Sequence, residues 1–149
     1  MTYINRSQFI RDSTFCVHNL LSGNITDPQS ANRVTGEQFT MTTWPDRSVR
    51  YPVITVQQTG FESNFAGIAS NNTINNIDFE INVWSKSIPE KESLAGSVFA
   101  VLEQNQTITA ASGLFDLRFF NITNLDEDGP NGTHRKLIGV RWMWPSQTV

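Results

Sequence analysis

Cysteine is almost missing from this chain, and the single Cys16 has no partner for an internal disulfide. That argues against a secreted disulfide scaffold. Charge is scarce too: 17% of the 149 residues are charged, against roughly 25% in ordinary soluble domains. The formal net charge is −3, so a grip on nucleic acid through phosphate neutralisation is not expected. No apolar run approaches the roughly 18 residues of a membrane span. Thr2 to Arg11 is polar, with no apolar segment behind a basic tip, so the expectation is a soluble protein without an export signal. Glycines never cluster as GxGxxG or GxxxxGK, which leaves no phosphate-cradling loop. Metal-site spacing of Cys and His is also missing. These gaps predict no cofactor, no metal and no enzymatic activity.

What fills the chain instead is Asn, Thr, Ser and Gln around a 38% hydrophobic fraction. One core, and hence a single domain over residues 1–149, is the expectation at this length. A wet, weakly charged surface suits a protein that stays in contact with others.

Apolar periodicity organises the chain. Phe9, Ile10, Cys16, Val17, Leu20 and Leu21 recur at helical spacing, which predicts a helix from about Arg6 to Ser22. Asn5 is its candidate cap, with Gln8 reaching back, and Gly23 its stop. Residues 24–36 read as a loop punctuated by Asp27-Pro28. Phe39, Met41 and Thr43 alternate with polar neighbours, and Arg50 to Gln58 is a second strand, so residues 38–58 are expected to form a hairpin. Pro52 is tolerated near a strand start. Thr59–Asn76 reads as a long polar loop. Ile77, Phe79, Ile81 and Val83 then alternate with Asp78, Glu80 and Asn82, the clearest period-2 signal in the chain. Ser87 and Glu90 around Pro89 predict a capped helix that buries Leu94, Ala95, Val98, Val101 and Leu102 and ends near Gln104. Gly96 inside it suggests a close backbone approach. Strands over Leu114–Thr123 and Leu137–Trp144, with Pro145 as terminator, complete a strand-helix-strand-strand unit over 77–144. The fold class is α+β: a mostly antiparallel sheet of four to five strands, with both helices on one face.

Candidate chemistry is thin. Asp126, Glu127 and Asp128 with Asn131 suggest a cation loop, but the spacing misses EF-hand ligand positions, and a solvated acidic turn is the simpler reading. His18 is a lone histidine on a helix, better read as a surface or satisfied core residue. His134 and Arg135 lack a reacting constellation. Cys16 lies on the apolar helix face, where a thiol is inert. Asn-x-Ser/Thr triplets begin at Asn5, Asn24, Asn71, Asn105, Asn121 and Asn131, a weak signal in so polar a chain. Trp142 and Trp144 point to one face of their strand and Met143 to the other. Either both faces are covered within the chain, or a neighbouring subunit covers one.

The segments Thr43-Trp-Pro-Asp-Arg47, Tyr51-Pro-Val-Ile-Thr-Val56, Ile81-Asn-Val-Trp-Ser-Lys-Ser87 with its helix, and His134-Arg135 before the last strand make a pattern. Over roughly residues 5 to 145 the chain resembles the tail-terminator and neck proteins that join head to tail in tailed viruses. The resemblance implies a small α+β structural protein of the virion, made in the host cytoplasm. It implies a homo-oligomeric ring, commonly a hexamer, that caps the tail tube and meets a head-side connector. Viral DNA would pass through without specific binding, no membrane would be involved, and the mild negative charge fits such a channel. The contact loops expected are Thr59–Asn76 and Asn124–Thr133. The candidate contact residues are Trp44, Arg47, Arg50, Phe61, Phe65, Asp126, Glu127, Asp128, Trp142 and Trp144. Rival readings are another head–tail connector (stopper or adaptor) and a cell-surface binding module, the latter suggested by the Asn/Thr-rich surface.

Overall fold

The computed structural model describes residues 6–44, 49–65, 72–125 and 132–147. A 3-10 turn, Arg6–Gln8, leads into helix α1, Phe9–Asn24. Strands β1 (Thr40–Met41), β2 (Val53–Phe65) and β3 (Asn72–Ser85) follow. Helices α2 (Ile88–Gln104) and α3 (Gln106–Ala111) come next, then strands β4 (Phe115–Asn124) and β5 (His134–Gln147). The five strands form one sheet in the order β1-β2-β3-β5-β4. All pairings are antiparallel except that of β1 with β2. The α+β class with a mostly antiparallel sheet is as expected.

Alternation in β3 decides the two faces. Ile77, Phe79, Ile81 and Val83 are fully buried and share one cluster with Phe9, Val17, Leu20 and Leu21 of α1 and Leu94, Val98 and Leu102 of α2. Their ladder partners on β5, namely Trp142, Val140 and Ile138, join the same cluster. Both long helices therefore cover one face of the sheet, as the apolar stripes require.

Trp142 and Trp144 are part of that core, at 0% and 3% exposure. Trp142 meets Phe79 edge-on at 5.6 Å, and Phe9 stacks on Trp144. Neither indole is offered to a neighbouring subunit, because α1 and the strand's own parity already enclose both.

Several boundaries differ from expectation. Residues 38–58 are not a hairpin: Thr40 pairs with Ile54 and Met41 with Thr55 in parallel. Alternation fixes which way a side chain faces but not which way its strand runs. The presumed loop 59–76 is largely ladder. Partners run from Gly60↔Asp78 to Phe65↔Thr73, with a bulge between Gln58 and Gly60, and the tip 66–71 lies outside the described residues. In this arm the buried, core-facing positions of β3 are the polar Thr73 and Asn75, with Asn75 donating to the Trp144 carbonyl at 2.8 Å, so no apolar alternation marks the strand.

Pro145 does not end β5. It pairs opposite Ile74, while β4 reaches only as far as Met143. Beyond Met143 one side of β5 is therefore an edge, where a missing N–H is tolerated. α1 runs one residue past Gly23, and Asn24 Nδ2 donates to the Leu20 carbonyl at its end. Ile10 is exposed rather than part of the α1 stripe. Ser87 is the N-cap of α2, but its side chain makes no capping bond. Ser85 does that work, its hydroxyl donating to Glu90 at 2.6 Å and accepting from the Ser87 N–H at 3.0 Å. Nothing approaches within 4 Å of a Cβ placed on Gly96, so no close backbone contact explains it.

Residues 25–39, polar and without regular structure, are held by Arg33. Its guanidinium pairs with Asp27, donates to the carbonyls of Arg50 and Pro52, and lies 5.6 Å from the Phe39 ring. The side chain is 6% exposed. Nothing in the sequence around Arg33 announces so buried a cation.

Candidate assembly surface on the open sheet face

With both long helices on one side, the other face of the sheet carries no helix among the described residues. Its residues follow from ladder parity: Asp78, Glu80, Asn82 and Trp84 on β3, and Arg135, Leu137, Gly139, Arg141 and Met143 on β5. Asp78, Glu80 and Asn82 do face away from α2, as alternation predicts. Asn82 is nonetheless buried, lying opposite Thr55 and donating to Glu80 at 3.1 Å.

One end of this face is an aromatic and cationic cluster. The Trp84 indole donates to Thr55 Oγ1 at 3.2 Å, which fixes its plane. Trp44 packs on it at 5.2 Å between ring centroids, and Tyr51 stands 6.4 Å from Trp44. The Arg135 guanidinium lies 4.8 Å over the Trp84 ring, and Lys86 Nζ lies 5.8 Å over Tyr51. Trp44 remains 41% exposed. Trp, Tyr and Arg held at a half-buried surface are the residue types that dominate protein–protein contact energies. A guanidinium over an indole is attracted by the ring quadrupole and presents a flat, pre-ordered plane.

The middle of the face is built around Arg141. It makes a bidentate bond to Asp78, 2.6 and 3.0 Å, and lies 5.7 Å from the exposed Phe120 ring. Hydrogen bonding to Asp78, with its charge, holds the guanidinium pKa above the ordinary value. Phe120 itself sits over Gly139, where any Cβ would come within 2.8 Å of the ring.

The candidate contact residues separate into groups. Trp44 belongs to the cluster just described. Arg50 is exposed nearby, with its Nε 3.8 Å from Glu37. Phe61 is on the helix-bearing face instead, 53% exposed, with its ring 5.4 Å from Phe9. It borders an open groove of about 680 Å³ lined by Phe9, Ile10, Asn75 and Trp144. By the ladder, Trp84↔Val53 and Ile77↔Phe61 stand seven β3 residues apart, roughly 23 Å. Phe61 and Trp44 are thus parts of different surfaces. Arg47, Asp126, Glu127 and Asp128 lie outside the described residues, as does the Phe65 side chain.

The histidines and the thiol have structural settings. His18 Nε2 is 2.9 Å from the Thr40 carbonyl and links α1 to β1. His134 is half-buried at the start of β5, opposite Ser85. Burial pushes the Cys16 thiol pKa up, with a smaller opposing effect from Ser112. Asn24 and Asn105, two of the sequon asparagines, each turn the amide inward onto a helix carbonyl, at 2.8 and 2.7 Å. Among the described residues no three His, Cys, Asp or Glu side chains are grouped to hold a metal, and no helix is long and apolar enough to cross a membrane.

Sequence reasoning passed over Trp84 and Arg141. Trp84 carried a usable signal, since it has the same parity as Asp78, Glu80 and Asn82. A large aromatic in the polar register of a strand marks a second, non-core contact.

No family model matches the chain, and no curated protein matches it. Among solved structures it is similar to one described as "Virion of native gene transfer agent (GTA) particle". That match has 12% identity and a TM-score of 0.45, and covers 72% of this chain and 79% of the other. At that score no function follows from the likeness.

Proposed function

We propose that this is a structural protein of a tailed-virus particle, a ring-forming tail terminator that caps the tail tube and joins it to the head-side connector. In this reading it turns over no substrate and needs no cofactor. It works by presenting fixed surfaces to copies of itself, to the tube and to the connector, while DNA passes through the ring.

The observation that carries the reading is a convergence. The segments behind the sequence resemblance come from three separate regions of the chain: Thr43–Arg47 with Tyr51–Val56, Ile81–Ser87 and His134–Arg135. In the fold they supply Trp44, Tyr51, Trp84, Lys86 and Arg135 to one patch on the helix-free face. The cluster lies over Val53 and Thr55, both buried, yet Trp44 keeps 41% of its surface exposed, and Trp and Arg are the residue types that dominate contact energies. A stopper or adaptor would use the same kind of patch, and the binding target is what separates these roles.

The test is assembly in a reconstituted tail system. Trp44→Ser and Arg135→Ser variants that keep their far-UV spectrum and melting temperature should leave tails of uncontrolled length in negative-stain images. Normal tails and normal joining with both variants would reject the reading. Capped tails that fail only at joining would favour the connector alternative.

A further inference from the structure

Apart from the outer side of the two-residue β1 and the end of β5 beyond Met143, two strands have an unpaired side among the described residues. β1 covers β2 only at Ile54 and Thr55, so Gln57–Phe65 of β2 is open. β4 pairs with β5 alone, so its other side is open along its length. These edges lie at opposite ends of one sheet, and through the alternating pairings β4 runs antiparallel to β2. A copy placed beside the first by rotation about an axis along the strands would bring β4 against β2 in antiparallel sense. A head-to-tail joint between two different edges is what a closing ring requires.

Level and charge agree at this joint. Arg118 is opposite Arg141, Arg141 opposite Asp78, and Asp78 opposite Gly60. Followed across the sheet, Arg118 therefore stands level with Gly60, and Glu62 is the diagonal cross-strand neighbour. By parity Arg118 and Glu62 both project on the helix-free face. Arg118 is 72% exposed and touches Asp116 at 3.1 Å. Glu62 is exposed, accepts a long bond from Asn64 at 3.4 Å, and acts through its charge on Arg141 of its own subunit. Phe120 and Ile122 on β4 and Phe61 on β2 add exposed apolar groups to the two edges. Bulges interrupt both strands, at 58/60 in β2 and at 115/118 and 119/121 in β4. Bulged edges resist indiscriminate pairing, which leaves selection of the partner to side chains.

We propose that the open edge of β4 on one subunit seats against the open edge of β2 on the next copy of this chain, with Arg118 facing Glu62 across the joint. This rests on the ring reading above and names the surface that closes the ring.

The test is a charge swap in the full chain. Arg118→Glu and Glu62→Arg are made singly and together, with oligomer mass measured by light scattering across a dilution series. Each single reversal should raise the concentration needed for half-assembly about tenfold or more, and the combination should recover most of that loss. A second arm joins Arg118→Cys with Glu62→Cys in a Cys16→Ser background. Within one chain the two sites are three strand spacings apart, roughly 14 Å, too far for a disulfide. Only intersubunit ladders should form on oxidation. Rings that ignore both reversals and do not crosslink overturn this joint and leave the ring reading standing. A wild-type chain that stays monomeric at every concentration and beside its tube overturns both.

Discussion

Phe9 and Trp144 stack face to face, with ring centroids 4.0 Å apart and planes 12° from parallel. The pair pins the first turn of α1 to the far end of β5, opposite Asn75 of the arm. Truncating Trp144 to Ala should cost about 3–5 kcal/mol, as loss of a large buried aromatic does. Chemical denaturation checks this. The defect should be one of folding, seen equally in monomer and assembly, because Trp144 is core. A Trp144→Ala variant of native stability that only failed to assemble would return the residue to the interface.

Arg33 predicts a second large effect at a site with no sequence signature. Its removal leaves Asp27 half-enclosed and two backbone carbonyls, of Arg50 and Pro52, without their donor. Arg33→Ala should lose about 3–5 kcal/mol. Arg33→Lys should recover little, since a single ammonium cannot reach all three acceptors in the plane of a guanidinium. Urea midpoints of the two variants measure the difference.

Gly139 is opposed by the Phe120 ring at a distance no Cβ can share. Gly139→Ala alone should displace that ring and destabilise by about 1–3 kcal/mol. Phe120→Ala should make the same substitution nearly neutral. A double-mutant cycle with no coupling would contradict the contact.

The arm offers a test of order. Gly60–Phe65 and Thr73–Asn76 are paired on the ladder, so amides bonded between these strands should exchange slowly in the isolated subunit. The expectation from sequence alone was a mobile loop. Exchange of these amides at random-coil rates would restore it.

Cys16 gives a pH prediction with a definite sign. Its thiol pKa is raised by burial, so above roughly pH 8.5, the ordinary thiol value, the unfolded chain loses its proton first. Stability then falls with rising pH until the folded thiol also ionises. Cys16→Ala should flatten that alkaline slope in melts followed across pH 8 to 10, and alkylation of the native thiol should be slow throughout.

Much of the layered fold follows from local pattern. Period-2 alternation at Ile77–Val83 and helical spacing at Val17–Leu21 and Leu94–Leu102 each require one buried face. A chain of this length satisfies all of them by laying both helices on one side of a sheet. Burial of Cys16 on the α1 stripe follows from the same spacing. Alternation says nothing of strand direction, so β1 runs parallel to β2 where a hairpin was the natural expectation. It is also silent where the buried positions of a strand are polar, as Thr73 and Asn75 are, which is why the arm reads as a loop. The aromatic patch is the clearest case. Trp44, Tyr51, Trp84 and Arg135 come from separate segments, and the register Val53↔Trp84↔Arg135 is what brings them together. Core and period are local properties of the chain. A surface made from distant segments exists only once strand order and register bring its parts together.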